Sequence, residues 1–367
     1  MSVLDPTRLD RARAAARAAG LDALLVTPGA DLRYLTGYDA LPLERLTCLV
    51  VRAEDEPVLV VPTLERPAAE ASPARGLDLR DWGETEDPVR LVADLVAGAR
   101  RVGLDDHMWA EKVLRFRAAM PGVEQVPAGP VLGGLRMRKS VAEVAALREA
   151  AAAIDRVHAR MGEWLRPDRT EVEVAADVAA AILAEAHARV DFVIVASGPN
   201  GASPHHEVSD RVLRHSDPVV VDIGGTTADG YCSDCTRTYS VGGPPPRDFL
   251  DSYEVLLAAQ RAAVEHVGPG VTAGSVDAAA RSVIEAAGLG ELFVHRTGHG
   301  IGTETHEQPY VVAGNELALE PGMTFSVEPG IYHPGRFGAR IEDIVVVTED
   351  GAERLNRRPR ELAVLEP

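Results

Sequence analysis

Two stretches of the chain place acids where strands would pair, and few folds can accept that. VVVDIGGTTADGYCSDCTRTY (219–239) holds Asp222 and Asp234 twelve apart, with the turn-forming TTADG at their midpoint. SVEPGIYHPGRFGARIED (326–343) holds Glu328 and Glu342 fourteen apart, with HPGRFG at theirs. Each reads as a β-hairpin that sets two carboxylates opposite each other across the strands. Cross-strand partners lie about 5 Å apart, and like charges there are destabilising. One such pair could be an exposed accident. Two pairs, each flanked by apolar strand residues, require positive charge between them, from a cation or from Arg237 and Arg340 nearby.

RTGHGIGTETHEQPY (296–310) supplies the remaining chemistry. His299 and His306 stand seven apart in what reads as a glycine-rich turn, a spacing used neither by the His-Glu-x-x-His zinc helix nor by zinc fingers. His299 fits as the nitrogen ligand that completes a set with the four acids. Four carboxylates and one imidazole carry −4, which two divalent ions would neutralise, taking the formal charge from −18 to −14. Paired metals roughly 3.5–4 Å apart are a hydrolytic arrangement that makes a hydroxide at neutral pH and polarises a carbonyl. Oxygen-rich ligation with one His favours Mn²⁺, with Co²⁺, Fe²⁺ or Zn²⁺ as alternatives. Taken singly, each residue has a plainer reading: a lone loop His is solvated, Asp222 ends a strand, a strand acid lies on an edge. The joint placement favours the metal site.

Length and composition frame this. A chain of 367 residues, 46% hydrophobic, suits two domains. Its 56 acids against 38 bases repel phosphate backbones and anionic lipid, so neither nucleic acid nor membrane is an expected partner. No signal peptide is visible in MSVLDPTRLDRARAAARAAG, and no run approaches the roughly 20 apolar residues of a membrane helix. Three cysteines give no disulfide framework, and a cytoplasmic location is expected. Cys232 and Cys235 form a C-x-x-C, but i and i+3 on a strand project to opposite faces and cannot share a metal.

Apolar runs DALLVT (22–27), LTCLVV (46–51) and PVLVV (57–61) alternate with helical patterns near 87–98 and 109–119, so residues 1–127 read as an α/β domain. PAGPVLGGLRMRKS, ending at residue 140, reads as the boundary, with 128–140 as linker. From 141 to 367, alanine-rich helices, strands, two further helices and further strands suggest an α+β domain of two similar halves.

SPHH, VVVDIGGTTADGYCSDCTRTY, GHGIGTETHE, SVEPG and RIED, in that order, resemble the pita-bread metallopeptidases: prolidases, aminopeptidases P and methionine aminopeptidases, with creatinase as a metal-free relative. Residues 1–127 are similar to the creatinase-type N-terminal domain. The resemblance implies two divalent ions held by Asp222, Asp234, His299, Glu328 and Glu342. Asp222 would bind one ion, His299 and Glu328 the other, and Asp234 with Glu342 would bridge. It implies that a metal-bridging hydroxide attacks the peptide carbonyl, with Glu328 managing the water's proton. His205, rather than His206 beside it, would steady the leaving group, His306 would lie near the scissile carbonyl, and Arg340 would support the ligands from behind. The implied substrates are peptides with proline second, cut by a homodimer as Xaa-Pro dipeptidase or as aminopeptidase P. One departure is the Asp222–Asp234 spacing, one residue longer than the family's usual eleven, which a bulge could absorb. Two other classes are weighed: an ATP-dependent sugar kinase or actin-like ATPase, because DIGGT resembles a phosphate loop, and a binding protein that has lost catalysis. The absence of a second glycine-rich phosphate loop opposes the first, and the presence of all five ligand positions opposes the second.

Overall fold

The computed structural model describes residues 6–366. The chain divides into two compact units between Arg136 and Met137.

In the first unit, β1 (Ala23–Val26), β2 (Cys48–Arg52), β3 (Val58–Pro62), β4 (Asp78–Trp82), β5 (Arg101–Leu104) and β6 (Glu124–Pro127) form one sheet in the order β4-β3-β2-β1-β5-β6. β1–β2 and β2–β3 pair antiparallel and the other pairs are parallel. Leu24, Leu49 and Leu59 enter one apolar cluster with the N-terminal helix Pro6–Ala18. Leu25, Val50 and Val60 enter another with Val92 and Phe116, from helices Pro88–Leu95 and Ala110–Ala119. Burial of both faces explains the unbroken apolar runs of β1 to β3. β4 and β6 are edge strands with half-exposed or exposed residues, DLRDW and EQVP, and carry no such signal. Residues 128–140 are not an extended linker. They contain the helix Gly129–Met137, whose Val131 and Leu132 are buried in the first unit's core.

The second unit is built from two helix-pair and sheet assemblies. Helices Val141–Ala159 and Glu171–Ala184 both open on capping boxes, Ser140 with Glu143 and Thr170 with Glu173. They pack through Val157, Val174 and Val178 onto Val219, Val221 and Ile223 of a four-stranded sheet that holds β7 (His187–Ser197), β8 (Pro218–Thr227), β9 (Cys232–Val241) and, parallel to β9, the strand Ala363–Leu365. Helices Arg247–His266 and Ala273–Ala286 pack likewise through Phe249, Leu256 and Val276. They cover a second, five-stranded sheet of β10 (Gly298–Gly300), β11 (Glu307–Val311), β12 (Thr324–Val327) and, beyond the two-stranded ribbon of β13 (Gly330–His333) and β14 (Phe337–Arg340), β15 (Asp343–Val347) with the strand Ala352–Arg354 at its edge. Two details differ from the sequence reading. GHG is a short strand rather than part of a turn, and the runs around Glu328 and Glu342 each break into two strands at the acid. DIGGT stays in extended β8 rather than curling into a phosphate loop.

Cys232 and Cys235 are both buried free thiols. Cys232 packs with Ile301 and Ile344, and Cys235 with Val221 and Tyr239, in separate clusters, as the pleat requires.

Candidate active site

Strand alternation delivers the acids. In β8, Val219, Val221 and Ile223 face the helices, so Asp222 faces away from them. Asp234 lies on the same side of β9, but it is paired with Gly224 while Asp222 is paired with Thr236. The two aspartates are therefore diagonal neighbours rather than directly opposed, which lengthens their separation. No register shift interrupts the β8–β9 pairing, so no bulge lies within it, and the turn between the strands holds Gly230 at φ 83°. Glu328 and Glu342 do oppose each other. The register that joins Val327 to Asp343 carries straight through to Gly330 and Arg340, with the two glutamates in between.

His299 is the middle residue of β10, hemmed between β11 and β12. A Cβ on Gly298 would strike the Ser326 carbonyl, and one on Gly300 the Gln308 carbonyl, so only glycine lets the strands close around the histidine. Ser326 sets the local geometry: its Oγ accepts from the His299 backbone N–H at 3.0 Å and donates to Glu328 Oε1 at 2.9 Å. Nδ1 of His299 faces the Gly300 carbonyl at 3.2 Å and must be the protonated nitrogen there. Nε2 is then the nitrogen turned to the acids, 3.1 Å from Glu328 Oε1 and 3.8 Å from Asp234 Oδ2, and the one that would offer its lone pair to a metal.

The electrostatics are strained. Burial, then Glu342, Asp222 and Glu328, push the Asp234 carboxyl well above the usual range. Burial, then Glu328 and Asp222, do the same to Glu342. Burial also works against ionisation of Glu328, but His299, His295 and Arg340 outweigh it and bring that carboxyl down to about 2. Arg340 is buried, and its guanidinium reaches Asp222 Oδ2 at 2.5 Å, Tyr332 Oη at 2.9 Å and the Pro204 carbonyl at 3.2 Å. Thr236 Oγ donates to Glu342 Oε2 at 2.7 Å. Among the described residues, two buried carboxylate oxygens of this site have no hydrogen-bond partner: Asp222 Oδ1 and Glu342 Oε1.

All five of these residues line one cavity of about 620 Å³, together with Arg340, His205 and His306. The His306 ring stands edge-on to His299, with centroids 4.0 Å apart. Partial burial, then the neighbouring His299, hold its pKa down to about 4, so it stays neutral at physiological pH. His206 turns away to Glu171, at 2.8 Å, which leaves His205 as the cavity histidine of SPHH.

Residues 145–349 match metallopeptidase family M24, and residues 8–138 match the creatinase/prolidase N-terminal domain. The chain belongs to metallopeptidase family M24. It is 57% identical over 361 residues to the probable dipeptidase PepE of Mycobacterium tuberculosis, covering 98% of this chain and 96% of that one. It is 36% identical over 345 residues to an Xaa-Pro dipeptidase of Lactobacillus helveticus, covering 91% and 92%. The crystal structure of dipeptidase PepE from Mycobacterium ulcerans superposes with a TM-score of 0.95 at 55% identity, covering 100% of both chains. The α/β creatinase-type domain followed by a pita-bread catalytic domain is thereby established.

M24 membership implies divalent metal ions, and the donors here fit them. Ligand atoms of Asp234, His299 and Glu342 lie within 4.8 Å of one another. The two unpartnered carboxylate oxygens are acceptors without donors, buried among like charges, which a cation satisfies and a water can satisfy only in part, and His299 Nε2 faces the same acids.

Several M24 residues that matter here carry no sequence motif. Phe192 and Ile194 of β7 share the face of Asp222, paired with Gly224 and Asp222, and form an apolar wall. His295 and Arg296 line the opposite side, where their nearness to His299 in sequence was the available signal. Glu171, first residue of its helix and fully buried, accepts from Ser197 N and Oγ, Asn200 Nδ2, His206 and Ser209 N and Oγ, at 2.6 to 3.1 Å. One carboxylate thus ties down both flanks of the loop that presents His205. Glu171→Gln, which reverses one oxygen from acceptor to donor, should lower kcat about 10–100-fold through misplacement of that loop. Metal content should stay at the parent level, and loss of metal in the variant would count against a loop-positioning role.

Proposed function

We propose that this M24 peptidase is an Xaa-Pro dipeptidase that works with two divalent ions, Mn²⁺ first among the candidates, as a cytoplasmic homodimer. The observation that carries the reading is the convergence of Asp222, Asp234, His299, Glu328 and Glu342 on one cavity, with acceptor atoms left bare. When bound, such ions supply Lewis acidity and a water acidic enough to ionise at neutral pH. Asp234 and Glu342, the acids most reluctant to ionise alone, would bridge, with Asp222 on one side and His299 and Glu328 on the other. Glu328 would accept the water's proton. Neutral His306 has one N–H to give to the scissile carbonyl, and His205 can donate to the departing nitrogen. Proline suits a dedicated site because its imide nitrogen has no hydrogen and its ring fixes the chain. No helix among the described residues is long and apolar enough to cross a membrane.

Arg296 favours the dipeptide over longer substrates. Its guanidinium lies 4.3 Å from the centroid of the Tyr310 ring, lines the cavity, and has no carboxylate partner among the described residues. A dipeptide brings a free carboxylate to that cation and a longer peptide does not. Arg296→Met should raise KM for an Xaa-Pro dipeptide about 10–100-fold, the worth of one charge-assisted contact, while sparing the Xaa-Pro amide. Equal losses on both substrates would remove Arg296 from this role.

The deciding experiment strips the protein of metal, reloads it with Mn²⁺, Co²⁺, Zn²⁺ or Fe²⁺, and compares Xaa-Pro with Xaa-Pro-Zaa. The expected result is loss of hydrolysis on chelation, recovery with Mn²⁺, and preference for the dipeptide. Faster cleavage of the tripeptide would make the protein an aminopeptidase P. Hydrolysis untouched by chelation would end the dinuclear reading.

A further inference from the structure

A second recess shares no lining residue with the first. It is about 330 Å³ in volume and is lined by Arg261, Arg354, Arg357 and Arg360 against Glu265 and Glu353. Three of those arginines come from one short stretch, RLNRRPR (354–360), in a chain whose net charge is −18. Two of the acids nearby, Glu353 and Asp343, are already committed. Glu353 holds Arg357 at 2.8 Å and Arg148 at 3.0 Å. Asp343 holds Arg237 through one oxygen at 2.6 Å, and Arg354 and Gln260 through the other at 3.0 Å each. Arg360 is left with a neutral acceptor, Gln260 Oε1 at 2.6 Å. Arg261 has no hydrogen bond or ion pair among the described residues, and Glu265, four residues on, forms none with it.

The recess therefore has an excess of guanidinium. Partial burial makes Arg360 a weaker base than an ordinary arginine, and the charges of Arg354, Arg261 and Arg237 act in the same direction against that of Asp343. We propose that this recess binds a small phosphate-bearing anion, gripped by Arg261, Arg354 and Arg360. A carboxylate offers two oxygens and one charge. A phosphoryl group offers three oxygens and close to two charges, which better matches three guanidinium groups lining one recess.

Calorimetric titration of the metal-loaded, full-length protein with inorganic phosphate and with adenosine monophosphate tests this, in the parent, in Arg261→Glu and in Arg360→Gln. Arg261 is exposed, so its reversal does not threaten the fold. Kd should rise roughly tenfold or more in each variant, the cost of one charge-assisted contact, while peptide hydrolysis stays within about twofold of the parent. Tighter binding of the nucleotide than of phosphate identifies a nucleotide as the source of the phosphoryl group, and equal binding identifies free phosphate. Failure of both probes to bind the parent overturns the proposal. So does undiminished binding in both variants, which would place the anion at the metal centre instead.

Discussion

Asp234→Asn is expected to cut kcat on an Xaa-Pro dipeptide by about 10³-fold or more, yet to leave the metal-free protein at least as stable as the parent. The two effects have one cause. Asp234 is buried beside Glu342, Asp222 and Glu328, and its carboxyl titrates well above the usual range. The folded state therefore keeps a proton that the unfolded chain, with an ordinary value of about 3.9, has already released. Stability contributed by that proton is complete below the unfolded value and is lost as pH rises towards the folded one. The loss reaches up to about 1.4 kcal/mol per pH unit for each such group. Glu342 adds a second loss of the same sign. Asparagine removes one charge from the cluster, so the metal-free variant should show a flatter decline between about pH 4 and neutrality. The same change takes away a ligand between two ions, and catalysis goes with it. Thermal unfolding across that pH range, with and without divalent ion, together with steady-state kinetics, measures both. A rate within about tenfold of the parent would remove Asp234 from the centre.

Arg340→Ala should destabilise the metal-free protein by about 3–5 kcal/mol, the usual cost of breaking a buried ion pair from one side. Its guanidinium is 2% exposed and joins Asp222, Tyr332, Thr236 and the Pro204 carbonyl. Removing it strands Asp222 among other acids and frees the carbonyl next to His205, so the rate should fall about 10²-fold as well. Lysine offers one compact ammonium in place of a planar fork and should recover only part of either loss. Divalent ion should shrink the stability deficit, because it gives Asp222 a second partner. Full restoration by lysine, in both unfolding and kinetics, would mean that Arg340 serves only as a charge.

How much of this was legible in the sequence depends on where each residue's partner lies. Asp222 and Asp234 share one hairpin, as do Glu328 and Glu342, so strand period and turn placement sufficed to bring each pair together. Their diagonal or opposed geometry was not legible, because it depends on how many residues the tip absorbs. β1 to β3 announced themselves by apolar runs, whereas β4 and β6, on the sheet edges, keep polar side chains in solvent and looked like loop. Glu171 was hidden for another reason. Its partners, Ser197 to Ser209, follow 26 to 38 residues later, and a helix-opening glutamate ordinarily faces water. Arg296 becomes informative only once Tyr310 is seen beneath it and acids are seen to be missing.

The β8–β9 ribbon has two masters. Odd-numbered residues there, Val221, Ile223 and Cys235 among them, belong to the hydrophobic core, and the even-numbered Asp222 and Asp234 to the cavity. Inserting or deleting one residue within either strand would swap the two sets, sending carboxylates into oil and aliphatic groups towards the substrate. Length variation among descendants of this chain should thus be confined to the apex between Thr227 and Cys232, where an added residue alters the bend and leaves the parity on either side intact.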